Sequence, residues 1–574
     1  MNNSLAFYDY LVCIIYFVIV ASYGIWIYNR KKNTATDTKD FFLAEGSLTW
    51  WAIGASLIAS NISAEQFIGM SGEGFFVGTA VAAYEWIAAL ALIIIAVWFM
   101  PIYLKNKIYT MPQFLKTRYN ETVALIMAIF WLFLYVFVNL TSILYLGAIA
   151  INGLTGGDSL HIIIIALAVF ALLITLGGMK VIGYTDVIQV AVLIIGGLAT
   201  TYLALTVVSD RVGAGTGAWD GFNTLLNKAP DHFKMILEKP SVTTSTLNDP
   251  MNLQIQKYVV LPGIVMYFAG QWIVNLNYWG CNQYITQRAL GADLQTARNG
   301  ILFAALIKIM MPVIVMLPGI AAYVLHSNQQ LENFNGIKDG AYSAILAFLP
   351  TGLKGLSVAA LTAAIVASLA GKLNSISTIF TLDIYKKYMN READEKKMVW
   401  IGRATVLASI ILSIIFTWED LLGIGGEGGF TFIQKYTGFI SPGVFAMFIL
   451  GMFWKRTTGA AAIAGVITGF ALSIFFNNFA VGIFGKETLL YTAFEYQKLE
   501  SGVVNTIVEI PFLVNMGWSF FFTVLVMVGM SLAGPKINPK AFELDKQMFK
   551  ISPSTMVLII TILLLLSALY IKFW

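Results

Sequence analysis

Apolar runs of about 20 residues recur from residue 8 to residue 573, each long enough to cross a hydrocarbon core roughly 30 Å thick. They fall near 8–28, 50–72, 77–104, 123–152, 160–178, 182–209, 257–284, 300–326, 353–385, 398–418, 430–453, 459–482, 510–533 and 553–573. A chain that must bury this many spans in lipid is restricted to helices or a closed barrel, and the unbroken apolar length selects helices. The pattern predicts an all-α polytopic membrane protein of about 14 transmembrane helices. With 58% hydrophobic and 12% charged residues, the composition leaves no room for a soluble domain of ordinary size.

The net charge of +5 reports topology rather than a nucleic-acid partner, because the cations sit in short loops and not on one face. Arg30, Lys31 and Lys32 follow the first span, which therefore reads as a retained helix and not a signal peptide. Every second loop after that is basic: Lys105, Lys107, Lys116 and Arg118; Arg288 and Arg298; Lys386, Lys387, Arg391, Lys396 and Lys397; Lys455 and Arg456; Lys536, Lys540, Lys546 and Lys550. The positive-inside rule puts these loops in the cytoplasm and both termini outside, periplasmic if the membrane is a bacterial inner membrane, as the short connecting loops suggest. Cys13 and Cys281 lie in apolar runs, and His161, His232 and His326 are far apart, so neither a disulfide framework nor a His or Cys metal site is expected. No nucleophile–base pair is visible, and an enzyme is not expected.

Polar groups inside an apolar span cost roughly 2.5–3.5 kcal/mol each on insertion scales and are functional candidates for that reason. They cluster. The second span carries Asn61, Ser63, Glu65, Gln66 and Gly69 in its middle, which predicts a broken helix whose unwound backbone offers carbonyls to a cation and amides to a polar solute. The next span opens with Tyr84, Glu85 and Trp86. Asn275, Tyr278 and Asn282, spaced three and four apart, are expected on one helical face beside Trp279 and Gln283. An aromatic face flanked by amides suits a sugar, which offers C–H faces for stacking and hydroxyls that donate and accept. Lys308 is an intramembrane cation for which Glu65 or Glu85 are the candidate partners, either as part of a solute-binding box or as a structural ion pair. Gln434 shares a face with Phe430, and the run Gly425–Gly429 before them reads as a flexible outer hinge.

Long words in fixed order resemble a known family: Asn61 to Gly72, Tyr84–Trp86, Thr185–Val190, Asn275–Tyr284, Leu317–Tyr323 and Phe380–Tyr385 are similar to the sodium/glucose cotransporter branch of the solute:sodium symporters, in its bacterial form, along essentially the whole chain. The resemblance implies a LeuT-like 5+5 inverted repeat with one helix before and three after. Its divisions would be 1–49, the repeat 50–209, an extracellular loop 210–256, the repeat 257–453 and the extra helices 454–574. It implies sodium-coupled symport of a monosaccharide, a hexose such as galactose or glucose, by alternating access. Sugar-binding positions would be Asn61, Gln66, Glu85, Asn275, Lys308 and Gln434, with Tyr278 as an inner stacking gate and Met70, Tyr84 and Phe430 as the outer gate. Sodium (Na+), the coupling ion, would be held by Ala59, Ile62, Ala364 and Ser368.

Three positions depart from the family's pattern. Ala367 replaces the first of two adjacent serines, Lys372 stands one turn on where an apolar residue is usual, and Ala88 replaces a serine near the sugar. Lys372 and Asp186, the inner-vestibule aspartate by resemblance, are expected either to pair and so weaken or replace sodium coupling, or to part, with Lys372 snorkelling to the cytoplasmic interface. A proton-coupled or uncoupled sugar carrier on the same fold is the alternative function, and a membrane enzyme or sensor a remote third.

Overall fold

The computed structural model describes residues 5–30, 41–42, 48–63, 65–155, 159–213, 215–331, 334, 336–419, 421, 429–500 and 503–574. Among them, ten helices are long and apolar enough to cross a membrane, and an eleventh results if Pro250–Phe268 and Gly270–Cys281, bent by 80°, count as one span. The shorter apolar helices Leu160–Thr175 and Ser441–Phe453, and the interrupted segment from Trp50 to Phe76, coincide with further expected spans.

The spans are not equivalent. In the most apolar stretch of Leu353–Met389, 89% of residues are buried inside the protein, against 17% for Pro553–Phe573. The first is therefore a core helix and the second a peripheral one whose Leu and Ile side chains face lipid. The core consists of α2 (Trp50–Asn61), α3 (Ser71–Phe76), α4 (Ala83–Ile94), α6 (Met179–Val212), α8 (Gly270–Cys281), α9 (Gln283–Leu290), α10 (Leu294–Val315) and α11 (Leu353–Thr378). Helix α2 packs on α6, α10 and α11. Its crossing with α10 is close because both helices present glycine: a Cβ at Gly54 would lie 2.7 Å from the Gly300 carbonyl, and one at Gly300 2.8 Å from that of Trp50. Around the core stand α1 (Phe7–Arg30), α5 (Leu160–Thr175), α12 (Glu395–Trp418), α13 (Gly429–Gly438), α14 (Ser441–Phe453) and α15 (Pro553–Phe573).

Contacts at the helix ends fix which segments share a face. Asp9, at the start of α1, accepts the amides of Gly352 and Gly355 and so caps α11. The carbonyl of Phe573, at the end of α15, accepts the amide of Met235. Segment 210–256, expected as a loop, contains the helix α7 (Ala218–Lys228) and a short 3₁₀ turn, Pro230–Phe233.

Two features correct the sequence reading. The all-α expectation misses a hairpin, β1 (Phe494–Glu500) antiparallel to β2 (Val503–Glu509), in register Phe494↔Glu509. Its alternating Phe494 and Tyr496 pack on Ile255, Tyr258 and Val259, the period-two pattern of a half-buried strand. Moreover, three arginines counted as loop cations are buried. Arg118 gives its guanidinium to the carbonyls of Gly451, Trp454 and Thr457, capping the C-terminus of α14. Arg298 holds the carbonyls of Ala96, Met548 and Lys550. Arg288 belongs to the site.

Candidate functional site

The site is built on the expected break. Helix α2 ends at Asn61, where Ile62 turns extended (φ −77°, ψ 112°), and a π-helical turn, Glu65–Met70, leads into α3. The amide and hydroxyl of Ser63 both donate to Gln66 Oε1, at 3.1 and 3.2 Å. In an unbroken helix that amide would bind the carbonyl of Ala59, so Gln66 secures the break and releases a backbone acceptor.

A second break faces the first. Helices α8 and α9 are separated at Asn282, which is extended (φ −91°, ψ 130°). Asn282 is thus not on one continuous helical face with Asn275 and Tyr278, as its spacing suggests; it ends their helix, and its Oδ1 accepts from the Tyr135 hydroxyl at 3.3 Å.

Between the breaks lies a cavity of about 970 Å³, counted to its open mouth, lined by Asn61, Gln66, Tyr84, Glu85, Ala88, Asn275, Tyr278, Trp279, Lys308, Lys372 and Gln434 among others. All six expected sugar positions line it, as does the expected inner gate Tyr278. Of the expected outer gate, Tyr84 lines it, Met70 is buried in the π-turn without lining it, and the Phe430 side chain and most of the glycine run before it lie outside the described residues. Asn61 Nδ2 donates to the Tyr278 hydroxyl at 2.9 Å and Asn275 Nδ2 to the Gln271 carbonyl at 2.9 Å. Among the described residues, buried Asn61 Oδ1, Gln271 Nε2 and Asn277 Oδ1 meet no hydrogen-bond partner, leaving polar capacity at or beside the cavity. Lys308 Nζ meets Glu85 Oε2 at 2.5 Å and lies 5.3 Å from the centre of the Trp279 ring. Glu85 is thus a partner of Lys308, and the side chain of Glu65, the other carboxylate considered, lies outside the described residues.

Beneath the first break is a second buried ion pair. Asp186 Oδ2 accepts from Arg288 Nη2 at 3.3 Å and from the Ser56 hydroxyl. The same guanidinium donates to the Ser56 carbonyl (2.9 Å) and hydroxyl (2.7 Å) and to the Tyr284 carbonyl (2.6 Å). Arg288, rather than Lys372, is the charge partner of Asp186. Lys372 is 3% exposed and does not snorkel to the interface. Its Nζ donates to Ser368 Oγ at 3.1 Å and sits 4.5 Å from the centre of the Tyr284 ring. Ser368 Oγ donates in turn to the Ser60 carbonyl at 3.1 Å. Ala59 precedes Ser60 on α2, Ile62 is the extended residue just past the end of that helix, and Ala364 precedes Ser368 by one turn on α11, which packs on α2, so the four expected sodium positions come from these two helices and the break.

The sequence reading missed Asn139, Asn277, Tyr284, Thr437 and Ser441 as cavity residues. Asn139 was findable, being an amide inside the apolar run 123–152. Asn277 donates to Ser441 Oγ at 3.1 Å, a contact between α8 and α14 that no local pattern announces.

The sequence pattern of the Sodium:solute symporter family matches residues 41–469. The chain is 40% identical to the Sodium/glucose cotransporter of Vibrio parahaemolyticus, over 100% of this chain and 99% of that one. It is 33% identical to the Sodium/myo-inositol cotransporter 2 of Mus musculus, over 81% of this chain and 69% of the relative. The solved structure of a sodium-coupled sialic acid symporter, substrate-bound and outward-open, superposes with a TM-score of 0.74 over 93% of this chain and 99% of that one at 19% identity, which shows a common fold.

Proposed function

This chain belongs to the sodium:solute symporter family, and on that footing we propose that it couples sodium entry to the uptake of a monosaccharide by alternating access. The observation that carries the sugar half is the cavity between the two helix breaks, where amides, the Glu85–Lys308 pair and the Trp279 and Tyr278 rings converge. A hexose hydroxyl both donates and accepts, so it can bridge Glu85 to Asn275 or Lys308 to Gln434, while its apolar face lies on an aromatic ring. Sodium is assigned to the carbonyls of Ala59, Ile62 and Ala364 and the Ser368 hydroxyl, hard oxygen ligands of the kind such an ion takes. The two halves of the molecule, 50–209 and 257–453, act as inverted repeats that rock about the breaks, with Tyr84, Met70 and Phe430 closing outside and Tyr278 inside. The basic loops lie in the cytoplasm, both termini outside, and the membrane is a bacterial plasma membrane, which fits a relative of this similarity in Vibrio. Inward sodium movement then also draws on the membrane potential, roughly 2.3 kcal/mol per charge at 100 mV.

A second reading is favoured by one contact, the ammonium of Lys372 on Ser368 Oγ. A cation already seated at a proposed sodium ligand weakens sodium binding, and a proton-coupled or uncoupled carrier would retain the same sugar site. Uptake of radiolabelled hexose into proteoliposomes under an imposed sodium gradient, an imposed proton gradient or none separates these readings. Accumulation is expected with sodium alone. Flux that persists without sodium and collapses with a protonophore selects the second reading, and absence of hexose flux in all three overturns the sugar assignment.

A further inference from the structure

Away from the cavity, a groove of about 840 Å³ opens between α1, α5, the start of α6 and α12. Its walls are apolar, including Val20, Gly24, Phe170, Leu173 and Val181, and Arg403 is the one charged side chain among the described residues that line it. Leu173 is 61% exposed, so the groove faces lipid and not the protein core.

Arg403 is unusual for such a place. Its guanidinium carbon lies 5.6 Å from the centre of the Phe41 ring, and among the described residues its buried Nε meets no hydrogen-bond partner and no carboxylate is in ion-pair range. It follows the first residue of α12 by eight positions, about 12 Å of helix. A guanidinium facing lipid at that depth is costly unless an anion meets it. The end of α1 and the start of α12 adjoin Lys31, Lys32, Lys396 and Lys397, so the groove opens to the leaflet beside the basic loops, where anionic lipids gather on cationic segments.

We propose that this groove is a binding site for an anionic phospholipid of that leaflet, with one acyl chain along the exposed Ile25 and Leu173 and the headgroup phosphate on the Arg403 guanidinium. Phosphate supplies the planar acceptor pair that a guanidinium fork matches, and the acyl chain fills a slot that the helices leave open. The site is separate from the solute cavity and independent of which solute or ion is carried.

Native mass spectrometry of the full chain, released from nanodiscs containing phosphatidylglycerol and phosphatidylcholine with identical acyl chains, tests it. The wild-type protein is expected to retain phosphatidylglycerol about tenfold over phosphatidylcholine, whose own choline cation offsets the phosphate charge that Arg403 would meet. Arg403→Gln brings that ratio near one. Leu173→Trp, a filling substitution from a lipid-facing position, lowers retention of both lipids. Solute binding is unchanged in both variants. A wild-type ratio near one, or a tenfold ratio surviving in Arg403→Gln, overturns the proposal, and full retention in Leu173→Trp overturns the placement of the acyl chain.

Discussion

Glu85–Lys308 and Asp186–Arg288 are both carboxylate–cation pairs buried in the membrane-spanning body, and they differ in how much of each charge the protein itself consumes. Lys308 is a point charge whose ammonium opens onto the cavity beside Trp279. Arg288 spends its fork on four acceptors, the Ser56 carbonyl and hydroxyl, the Tyr284 carbonyl and Asp186. The first pair retains donors and acceptors for a hydroxylated solute; the second ties α2, α6 and α9 together. The space around Arg288 is equally committed, since a Cβ at Gly371 would lie 2.6 Å from its Nη2. One pair lines the cavity; the other is a clasp that holds three helices together beside the break.

The largest expected effect tests the clasp. Arg288→Ala leaves Asp186 buried and unpaired, and removing one partner of a buried pair costs about 3–5 kcal/mol. Thermal unfolding in detergent should show a large loss of stability with hexose affinity in the surviving folded protein little changed. A variant as stable as wild type that no longer binds hexose would erase the distinction between the pairs. Lys308→Ala should behave in the opposite way. Glu85 faces the cavity, so water can solvate it and stability falls little, whereas hexose affinity falls by about 30- to 150-fold, the equivalent of roughly 2–3 kcal/mol. Equilibrium binding measured beside the unfolding curve checks both halves of that statement.

The two pairs were also unequally legible. Glu85 and Lys308 stand out in the sequence because each interrupts an apolar run, where charge is costly. Arg288 sits among the polar residues that follow a span and reads as one more cytoplasmic cation. Its burial follows from the break at Asn282, which directs α9 back into the core, and the same break defeats the single-face reading of Asn275, Tyr278 and Asn282. A helical period can be read only as far as the helix runs. Lys372 failed for another reason: a lysine near a span end is able to snorkel, and only the packing of Tyr284 and Ser368 around its ammonium decides that it does not. The hairpin 494–509 carries its signal as alternation, which an apolar run of 20 residues does not register.

Lys372 gives the next effect in size. Its ammonium occupies one of the oxygens proposed for sodium. Lys372→Met keeps the length and apolar stem of the side chain and removes the charge, so the apparent sodium affinity of hexose uptake should rise, by about tenfold if the competition is worth roughly 1.4 kcal/mol. Uptake measured across a sodium titration reads this directly. An unchanged sodium dependence would show that Lys372 serves packing only, and the competing-cation reading would fall with it.

The smallest effect concerns the hydrogen bond that joins the two breaks. Asn61 ends α2, Tyr278 lies one turn before the end of α8, and Asn61 Nδ2 donates to the Tyr278 hydroxyl at 2.9 Å. Tyr278→Phe retains the ring contacts with Trp279 and Tyr284, at 5.3 and 5.7 Å between centroids, and deletes the hydroxyl that accepts from Asn61. A neutral hydrogen bond of this kind is worth about 0.5–1.5 kcal/mol. If Tyr278 closes the cavity on its inner side, that energy holds the gate shut, and its loss should accelerate release of bound hexose by about 2- to 10-fold while the affinity of the remaining contacts changes less. Release is measured as efflux of preloaded label from proteoliposomes. A slower efflux, or a fall in affinity with no change in efflux, would make Tyr278 a binding residue alone.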